Sequence, residues 1–105
     1  MLPVHILIDA TLKQLTEQGI FYTILQRGER NSGTILLKIW SRADQCKLLT
    51  QQRNLDGDLQ WINATNKETV AEPDADTYTQ RARSRDPDLW IIEIEDPNMN
   101  NPFET

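Results

Sequence analysis

The chain has 105 residues, the size of one ordinary domain, so two independent hydrophobic cores are not expected. Its net charge of −5 and isoelectric point near 4.7 argue against a uniformly basic nucleic-acid-binding domain. The charge is uneven: residues 1–53 carry seven Lys/Arg and four Asp/Glu, whereas residues 54–105 carry four Lys/Arg and twelve Asp/Glu. The net charges of the two halves are therefore +3 and −8, and the acidic second half is the main compositional feature to explain.

Hydrophobic periodicity and turn residues divide the chain into seven elements. Apolar residues at helical spacing end at Gly19, which suits the position that closes a helix. Runs of β-branched and aromatic residues, separated by turn residues, are typical of strands. In chain order the elements are a helix over 4–18, strands over 20–27, 34–40, 46–52 and 58–62, a helix with its N-cap at Glu72 or Asp74, and a strand over 89–95.

The second helix carries signals at both ends. Acidic residues at its start and arginines at its end complement the helix dipole, and Pro73 suits the first turn. The run Asp86-Pro87-Asp88 then stops the helix, because a proline pushes the preceding residue toward an extended conformation.

We predict an α+β fold: a helix, a four-strand meander, a second helix and a last strand, with an antiparallel or mixed sheet of about five strands. Both helices are expected to pack mainly on one face of the sheet. The strand over 34–40 is apolar on both faces, which predicts a central position. The loop over 28–33 is expected to be a mobile hairpin connection. Residues 1–96 would form the single domain, and residues 97–105 a flexible tail.

Cysteine usage and apolar runs predict the setting. Cys46 is the single cysteine and cannot form an intramolecular disulfide, and the first residues lack the basic region of a secretory signal. The longest uncharged apolar run, Ile20 to Leu25, is far below the ~20 residues that a membrane helix needs. We therefore expect a cytoplasmic protein with no membrane span.

The C-terminal block closely resembles that of a known family. The sequences PDADTY at 73–78 and DPDLWIIEIED at 86–96, with QRGE at 26–29, GTILLKI at 33–39 and the isolated Trp61, resemble a small single-domain family of unknown function found in proteobacteria. The resemblance spans nearly the whole chain. It implies a cytoplasmic bacterial protein with one α+β domain, and it implies no particular activity.

Acidic residues concentrate around the last strand and offer a candidate site. The candidate cluster comprises Arg81, Arg85, Asp86, Asp88, Trp90, Glu93, Glu95 and Asp96. On a strand, Glu93 and Glu95 share one face, ~6.7 Å apart along the backbone, while Trp90 lies on the other. Such carboxylates either leave the core to pair with Lys/Arg of neighbouring strands or, together with Asp88, hold Mg²⁺ or Ca²⁺. We expect the former, because hard cations need several oxygen ligands, and we predict no metal and no cofactor.

The arginines at the end of the second helix form the other candidate. Arg81 and Arg85 share a helical face at i, i+4, while Arg83 lies well round the helix, so the three cannot serve one phosphate unless the helix has already ended. We expect them to pair with the downstream carboxylates or with the last carbonyls of the helix, and a cation–π contact with Trp90 is also possible on this spacing. An anion or RNA site is the alternative.

Catalytic residue types are scarce, since the chain has one histidine, His5, and one cysteine. This favours a non-catalytic module that binds a protein partner or forms a homodimer. The alternative is a carboxylate-metal-dependent hydrolase or phosphate-handling enzyme that uses the C-terminal acidic cluster. RNA binding through Arg27, Arg30, Lys38 and Arg42 is a third hypothesis, and the acidic charge makes nucleic acid the weaker expectation. We also expect segment 86–96 to lie beside Lys/Arg from the first half.

Overall fold

Residues 2–41 and 45–104 are described by a computed structural model, in which two helices and five strands follow the predicted order. The elements are α1 Val4–Glu17, β1 Phe21–Gln26, β2 Ile35–Trp40, β3 Cys46–Arg53, β4 Leu59–Asn63, α2 Glu72–Arg85 and β5 Trp90–Glu95. As predicted, α2 has Pro73 in its first turn and ends directly before Asp86. Neither helix in the described ranges has the length and apolar character needed to cross a membrane.

The five strands form one mixed sheet in the order β1-β5-β2-β3-β4, which confirms the α+β class. This order corrects the predicted four-strand meander, because β5 lies between β1 and β2, antiparallel to the first and parallel to the second. Only β2, β3 and β4 form a meander. Four of the six residues of β5 (Trp90–Glu95) are apolar, and they lie on both faces of the strand, so β5 needs a central position in the sheet. The first half of β1 is exposed, which suits an edge position.

The two helices lie on opposite faces of the sheet, which corrects the expectation of one shared face. The physical reason is that β2 and β5 carry apolar residues on both faces, so each face needs a cover. Under α1 the buried cluster is Ile8, Leu12, Leu15, Ile35, Leu37, Ile39, Trp90, Ile92 and Ile94. Under α2 the buried residues are Leu36, Cys46, Leu48, Ala75, Ala82, Leu89 and Ile91.

Residues 97–104, predicted to be a flexible tail, lie on the α1 side of the sheet. The carboxylate of Asp96, a buried residue, accepts the backbone N–H of Asn98 at 2.9 Å and of Asn100 at 3.1 Å. Met99 and Phe103 then pack against the core under α1. The apolar side chains in this otherwise polar segment therefore continue the core.

Candidate functional site

A buried lysine lies at the centre of the α2 face. Lys38, on β2, is 2% exposed, and its Nζ is 2.6 Å from Asp76 Oδ1 in α2. The same Nζ is 2.9 Å from Glu93 Oε2 in β5, and Glu72 Oε1, one helical turn before Asp76, lies 4.0 Å away. Carboxylates from two neighbouring elements therefore converge on one cation and tie α2 to the sheet.

Burial and ion pairing act in opposite directions on this lysine. Burial by itself lowers the pKa of Lys38, but the hydrogen bonds to Asp76 and Glu93 and their charges outweigh it, and the pKa is raised above its ordinary value of 10.5. On β3, burial raises the pKa of the Cys46 thiol above 9.0, and the nearby carboxylates add to the effect. Lys38 is thus a constant cation at neutral pH, and Cys46 is a protonated thiol of low reactivity.

The acidic residues that the sequence groups at the last strand are separated in space. Glu93 binds Lys38, so segment 86–96 does lie beside a lysine from the first half, as predicted. Glu95, on the same face, is exposed, while Asp96 is buried and holds the following turn. Asp88 precedes β5 at the opposite end of the strand.

These carboxylates do not assemble the alternative metal site. Glu93 is the fourth residue of β5, whereas Asp88 lies in the turn before the strand. Glu93 is already paired with the Lys38 ammonium. Within residues 2–41 and 45–104, no group of three His, Cys, Asp or Glu side chains is arranged to hold a metal ion. The geometry therefore gives the hydrolase hypothesis no support.

The arginines of α2 do not pair as expected. Arg81, Arg83 and Arg85 are exposed, and every ion pair among the described residues involves Lys38. Asp86, the nearest downstream carboxylate, accepts the backbone N–H of Asp88 at 3.0 Å instead. The eight residues of the candidate cluster are thus divided between the helix surface, a turn and both faces of β5.

Of the basic residues in the RNA hypothesis, Lys38 is the one that the structure removes from the surface. Lys38 is buried in its ion pairs and is not available to a phosphate. Arg27 and Arg30 are exposed. Arg42 lies outside the described residues.

Trp90 anchors the loop between β1 and β2 to the start of β5. Its indole Nε1–H donates to the Glu29 carbonyl oxygen at 2.7 Å, and the Glu29 N–H donates to the Asp88 carbonyl oxygen at 2.9 Å. A Cβ at Gly28 would overlap the Asp88 carbonyl oxygen, and one at Gly33 would lie 2.7 Å from that atom. The loop predicted to be mobile is therefore held against β5, and the glycines are needed for close approach. Among the residues that the structure describes, Trp90 makes this hydrogen bond and no cation–π contact with an arginine.

The same loop completes the N-terminus of α1. Pro3 at the N-cap provides no side-chain hydrogen bond, so the first helical N–H groups need other acceptors. The N–H of His5 donates to the Arg30 carbonyl oxygen at 2.9 Å, and that of Val4 donates to the Asn31 carbonyl oxygen at 3.2 Å. One loop thus joins α1, β1, β2 and β5.

Glu29 supports this loop through its carboxylate as well as its backbone. The carboxylate accepts hydrogen bonds from the N–H and the hydroxyl of Ser32 and from the N–H of Asn31. Hydrogen bonds from Ser32 lower the pKa of Glu29 from its ordinary value of 4.5. The residues that carry the family resemblance here therefore have a structural role.

The β1 strand leaves one edge of the sheet unpaired. It is hydrogen-bonded only to β5. Phe21 lies on the α2 face of the sheet, beside exposed Glu95, at a point that α2 does not cover, and it is 76% exposed. Residues 20–26 contain no charge and no proline, the two devices that usually protect an edge. The one irregularity is a register shift between Ile24 and Gln26, at the far end of the strand.

Comparison with known proteins identifies the family. The profile described as "Protein of unknown function (DUF1491)" matches residues 2–104. The chain belongs to the DUF1491 family. This confirms the resemblance to a small family of unknown function, and a comparison with curated proteins finds no match.

Solved structures of DUF1491 proteins share the fold. A crystal structure of a DUF1491 family protein from Caulobacter crescentus CB15 is 30% identical, covers 100% of this chain and 96% of its own, and superposes with a TM-score of 0.84. An NMR structure of a DUF1491 family protein from the same organism is 29% identical over 96% of this chain and 91% of its own, with a TM-score of 0.83. The solution structure of Atu0922 from A. tumefaciens, 19% identical over 90% of this chain and 86% of its own, has a TM-score of 0.67 and supports the fold alone.

In this DUF1491 chain, sequence reasoning missed the role of the lysine cluster. It interpreted Asp76 as part of the acidic start of the second helix and named Lys38 only among the basic residues of the RNA hypothesis. The available signal was a lysine in the middle of the otherwise apolar strand ILLKIW. Lysine is almost never fully buried without a charged partner, so a carboxylate from a covering helix was to be expected.

Proposed function

We propose that this protein is a non-catalytic interaction module that self-associates by pairing β1 of one copy with β1 of a second copy. The observation that supports the proposal is the unprotected edge of β1, where the large apolar side chain of Phe21 is 76% exposed. An unpaired row of backbone donors and acceptors without charge or proline is a template for strand addition.

The strand is complementary to itself in the antiparallel direction. Pairing about Thr23 sets Phe21 opposite Leu25 and Tyr22 opposite Ile24 of the other copy. Residues directly opposite each other in antiparallel strands share a face, so both pairs are apolar or aromatic. No charge lies within residues 20–26, so the pairing meets no like-charge repulsion. A second copy is therefore the occupant that best matches this edge.

The pairing would join two five-stranded sheets into one continuous sheet. Its twofold axis would run perpendicular to the sheet, which places both α2 helices on the same side. The register shift between Ile24 and Gln26 falls at the end of the paired segment 21–25 and limits the interface to that segment. We propose the cytoplasm as the setting of the module, in keeping with a free, buried Cys46.

Size-exclusion chromatography with light scattering over a concentration series tests the proposal. The wild-type protein should approach twice the chain mass of 12.2 kDa as concentration rises. Phe21→Lys should shift the equilibrium to monomer, because each copy loses ~1.5 kcal/mol of apolar burial. The losses of the two copies add, so the dimer dissociation constant should rise more than ~100-fold.

Leu59→Lys is the matched control, since Leu59 lies on β4 at the opposite edge and is 49% exposed. This variant should dimerise like the wild type, and circular dichroism should show that both variants are folded. A wild-type protein that stays monomeric at every concentration would refute the proposal. Loss of the dimer in Leu59→Lys but not in Phe21→Lys would refute the proposal, because it would show that the copies associate through the β4 edge.

A further inference from the structure

The C-terminal segment 97–104 has open space on both of its sides. A groove of about 300 Å³ lies between it and the C-terminal end of α1. A second groove, of about 490 Å³, lies between it and strands β3 and β4. The interior of a native protein is close-packed, with few voids larger than a water molecule, so the segment is packed more loosely than the core beside it.

The segment makes most of its backbone hydrogen bonds to itself. The buried residue Asp96 accepts three of its N–H groups, two through the carboxylate and one through the carbonyl oxygen. Asn101 accepts two more, one through its side chain and one through its carbonyl oxygen. Because both acceptors lie in the segment or directly before it, leaving the sheet costs the segment few backbone hydrogen bonds.

Few contacts attach the segment to other elements. Among residues 2–41 and 45–104, two hydrogen bonds reach it from elsewhere, and both donors are side chains. The Ser41 hydroxyl donates to a carbonyl oxygen at 3.3 Å, and Lys47 Nζ donates to that of Met99 at 3.1 Å. The apolar anchors are Met99 and Phe103, and the ring of Phe103 packs on Trp61 with centroids 5.8 Å apart.

The backbone of Met99 adds strain to the attached state. Its φ is +52°, in the left-handed region that residues other than glycine rarely adopt. Such a conformation persists only where the surrounding contacts enforce it, and it is common in switch segments. Detachment relieves this strain and returns conformational freedom to the segment. Both effects lower the free energy of detachment.

We propose that segment 97–104 is a strap that opens as one unit about Asp96 while the sheet and both helices stay folded. Asp96 is the pivot, because its own N–H donates to the Trp40 carbonyl oxygen of β2 at 3.1 Å. Opening joins the two grooves and exposes the ring of Trp61, which Phe103 covers in the closed state. The strap therefore controls access to the α1 side of β3 and β4, away from the β1 edge and independently of self-association.

Backbone amide signals in ¹⁵N–¹H NMR spectra of the full chain provide the test. Asn98 and Asn100 report on the strap, and Ile92 and Ala82 report on β5 and α2. A peptide with the sequence of residues 97–104 gives the chemical shifts of the two strap reporters in the open state. Variants that weaken the attachment should move both strap reporters toward the peptide values.

Phe103→Ala removes the aromatic anchor and should raise the equilibrium constant for opening about 10–100-fold. Lys47→Leu removes one hydrogen bond and should raise it about 2–10-fold. Both variants should place the strap reporters on one straight line between wild type and peptide, with Phe103→Ala further along it and with Ile92 and Ala82 unmoved. Glu104→Gln, at an exposed position of the same segment, is the control and should leave the strap reporters in place.

The proposal is overturned if neither variant moves the strap reporters or if the two variants move them in different directions. It is also overturned if Ile92 and Ala82 move together with the strap reporters, because the segment would then unfold only with the core. Lys47→Leu keeps the test decisive should Phe103→Ala fail to fold.

Discussion

The two faces of the sheet are covered by helices of the same length but held by different forces. Under α1, nine buried apolar side chains form one continuous cluster. Under α2, the helix contributes the small residues Ala75 and Ala82, and the buried cation Lys38 lies at the centre of the face. The first helix is attached by apolar area, and the second by smaller apolar contacts together with the ion pairs of Lys38.

This difference predicts how each helix responds to substitution and to pH. Apolar burial has no charge to titrate, so the attachment of α1 should be independent of pH. The attachment of α2 requires charged partners whose removal leaves Lys38 buried without compensation. The α2 face is therefore the one on which a change of charge can release a helix.

The largest effect is expected under α1. Ile8 is fully buried, and Ile8→Ala should lower the free energy of unfolding by about 4 kcal/mol, through lost burial and a residual cavity. Urea unfolding followed by circular dichroism, at neutral and alkaline pH, should give the same loss. Ile6→Ala, on the exposed side of the same helix, is the control and should cost less than ~1 kcal/mol. A pH-dependent loss for Ile8→Ala would contradict the comparison.

The next largest effect is expected from removing both close carboxylates under α2. Asp76→Asn with Glu93→Gln leaves the Lys38 ammonium buried beside neutral amides and should cost about 3 kcal/mol. Glu95→Gln, exposed on the same face of β5, should change stability by less than ~0.5 kcal/mol in the same urea experiment. Equal effects for the double variant and the control would mean that the ion pairs do not hold α2.

A smaller effect is expected from removing the lysine itself. The Asp76 and Glu93 side chains are 49% and 28% exposed, so water can solvate them after Lys38→Met, and the loss at neutral pH should be about 1–2 kcal/mol.

The loss should also disappear at high pH. Because the folded-state pKa of Lys38 is raised, its contribution is fully present below the ordinary value of 10.5 and is lost as pH rises through the folded value. Urea unfolding of wild type and Lys38→Met from neutral pH upward should therefore converge above pH 10.5. A difference that widens with pH would have the wrong sign.

The smallest effect concerns the reactivity of Cys46. The thiol is fully buried with a raised pKa, so alkylation of the native protein by iodoacetamide should be slow and limited by local opening. The Asp76→Asn/Glu93→Gln variant should react faster than the wild type, because α2 opens more often, whereas Ile6→Ala should react at the wild-type rate. Mass spectrometry over time measures both. An unchanged rate in the double variant would show that α2 does not cover the thiol through its ion pairs.

The helices and strands could be predicted because their signals are local. The spacing of Ile8, Leu12 and Leu15, and the Asp86-Pro87 stop, depend on a few adjacent residues. The position of β5 depends on pairing between strands more than fifty residues apart, for which one sequence has no local signal. The hairpin prediction for β1 and β2 followed from proximity along the chain, which does not determine adjacency in a sheet.

The candidate site was less predictable for a related reason. The carboxylates near Glu93 could be recognised in the sequence. Their pairing with Lys38 could not, because it depends on which face of the sheet α2 covers. The C-terminal segment was expected to be free because prolines and asparagines dominate its composition, although two large apolar residues, Met99 and Phe103, are spaced within it. Composition averaged over a short segment hides such anchors.

The position of β5 has a consequence for synthesis of the chain. The last strand to emerge from the ribosome, β5, is the one that joins β1 to the rest of the sheet. Until β5 has been synthesised, β1 and β2 each have an unpaired edge. Pairing of this kind is non-local and intrinsically slow, and open edges in partly made chains favour aggregation. Chaperone contact with nascent β1 is therefore expected to persist until synthesis has passed Glu95, later than for a sheet assembled in sequence order.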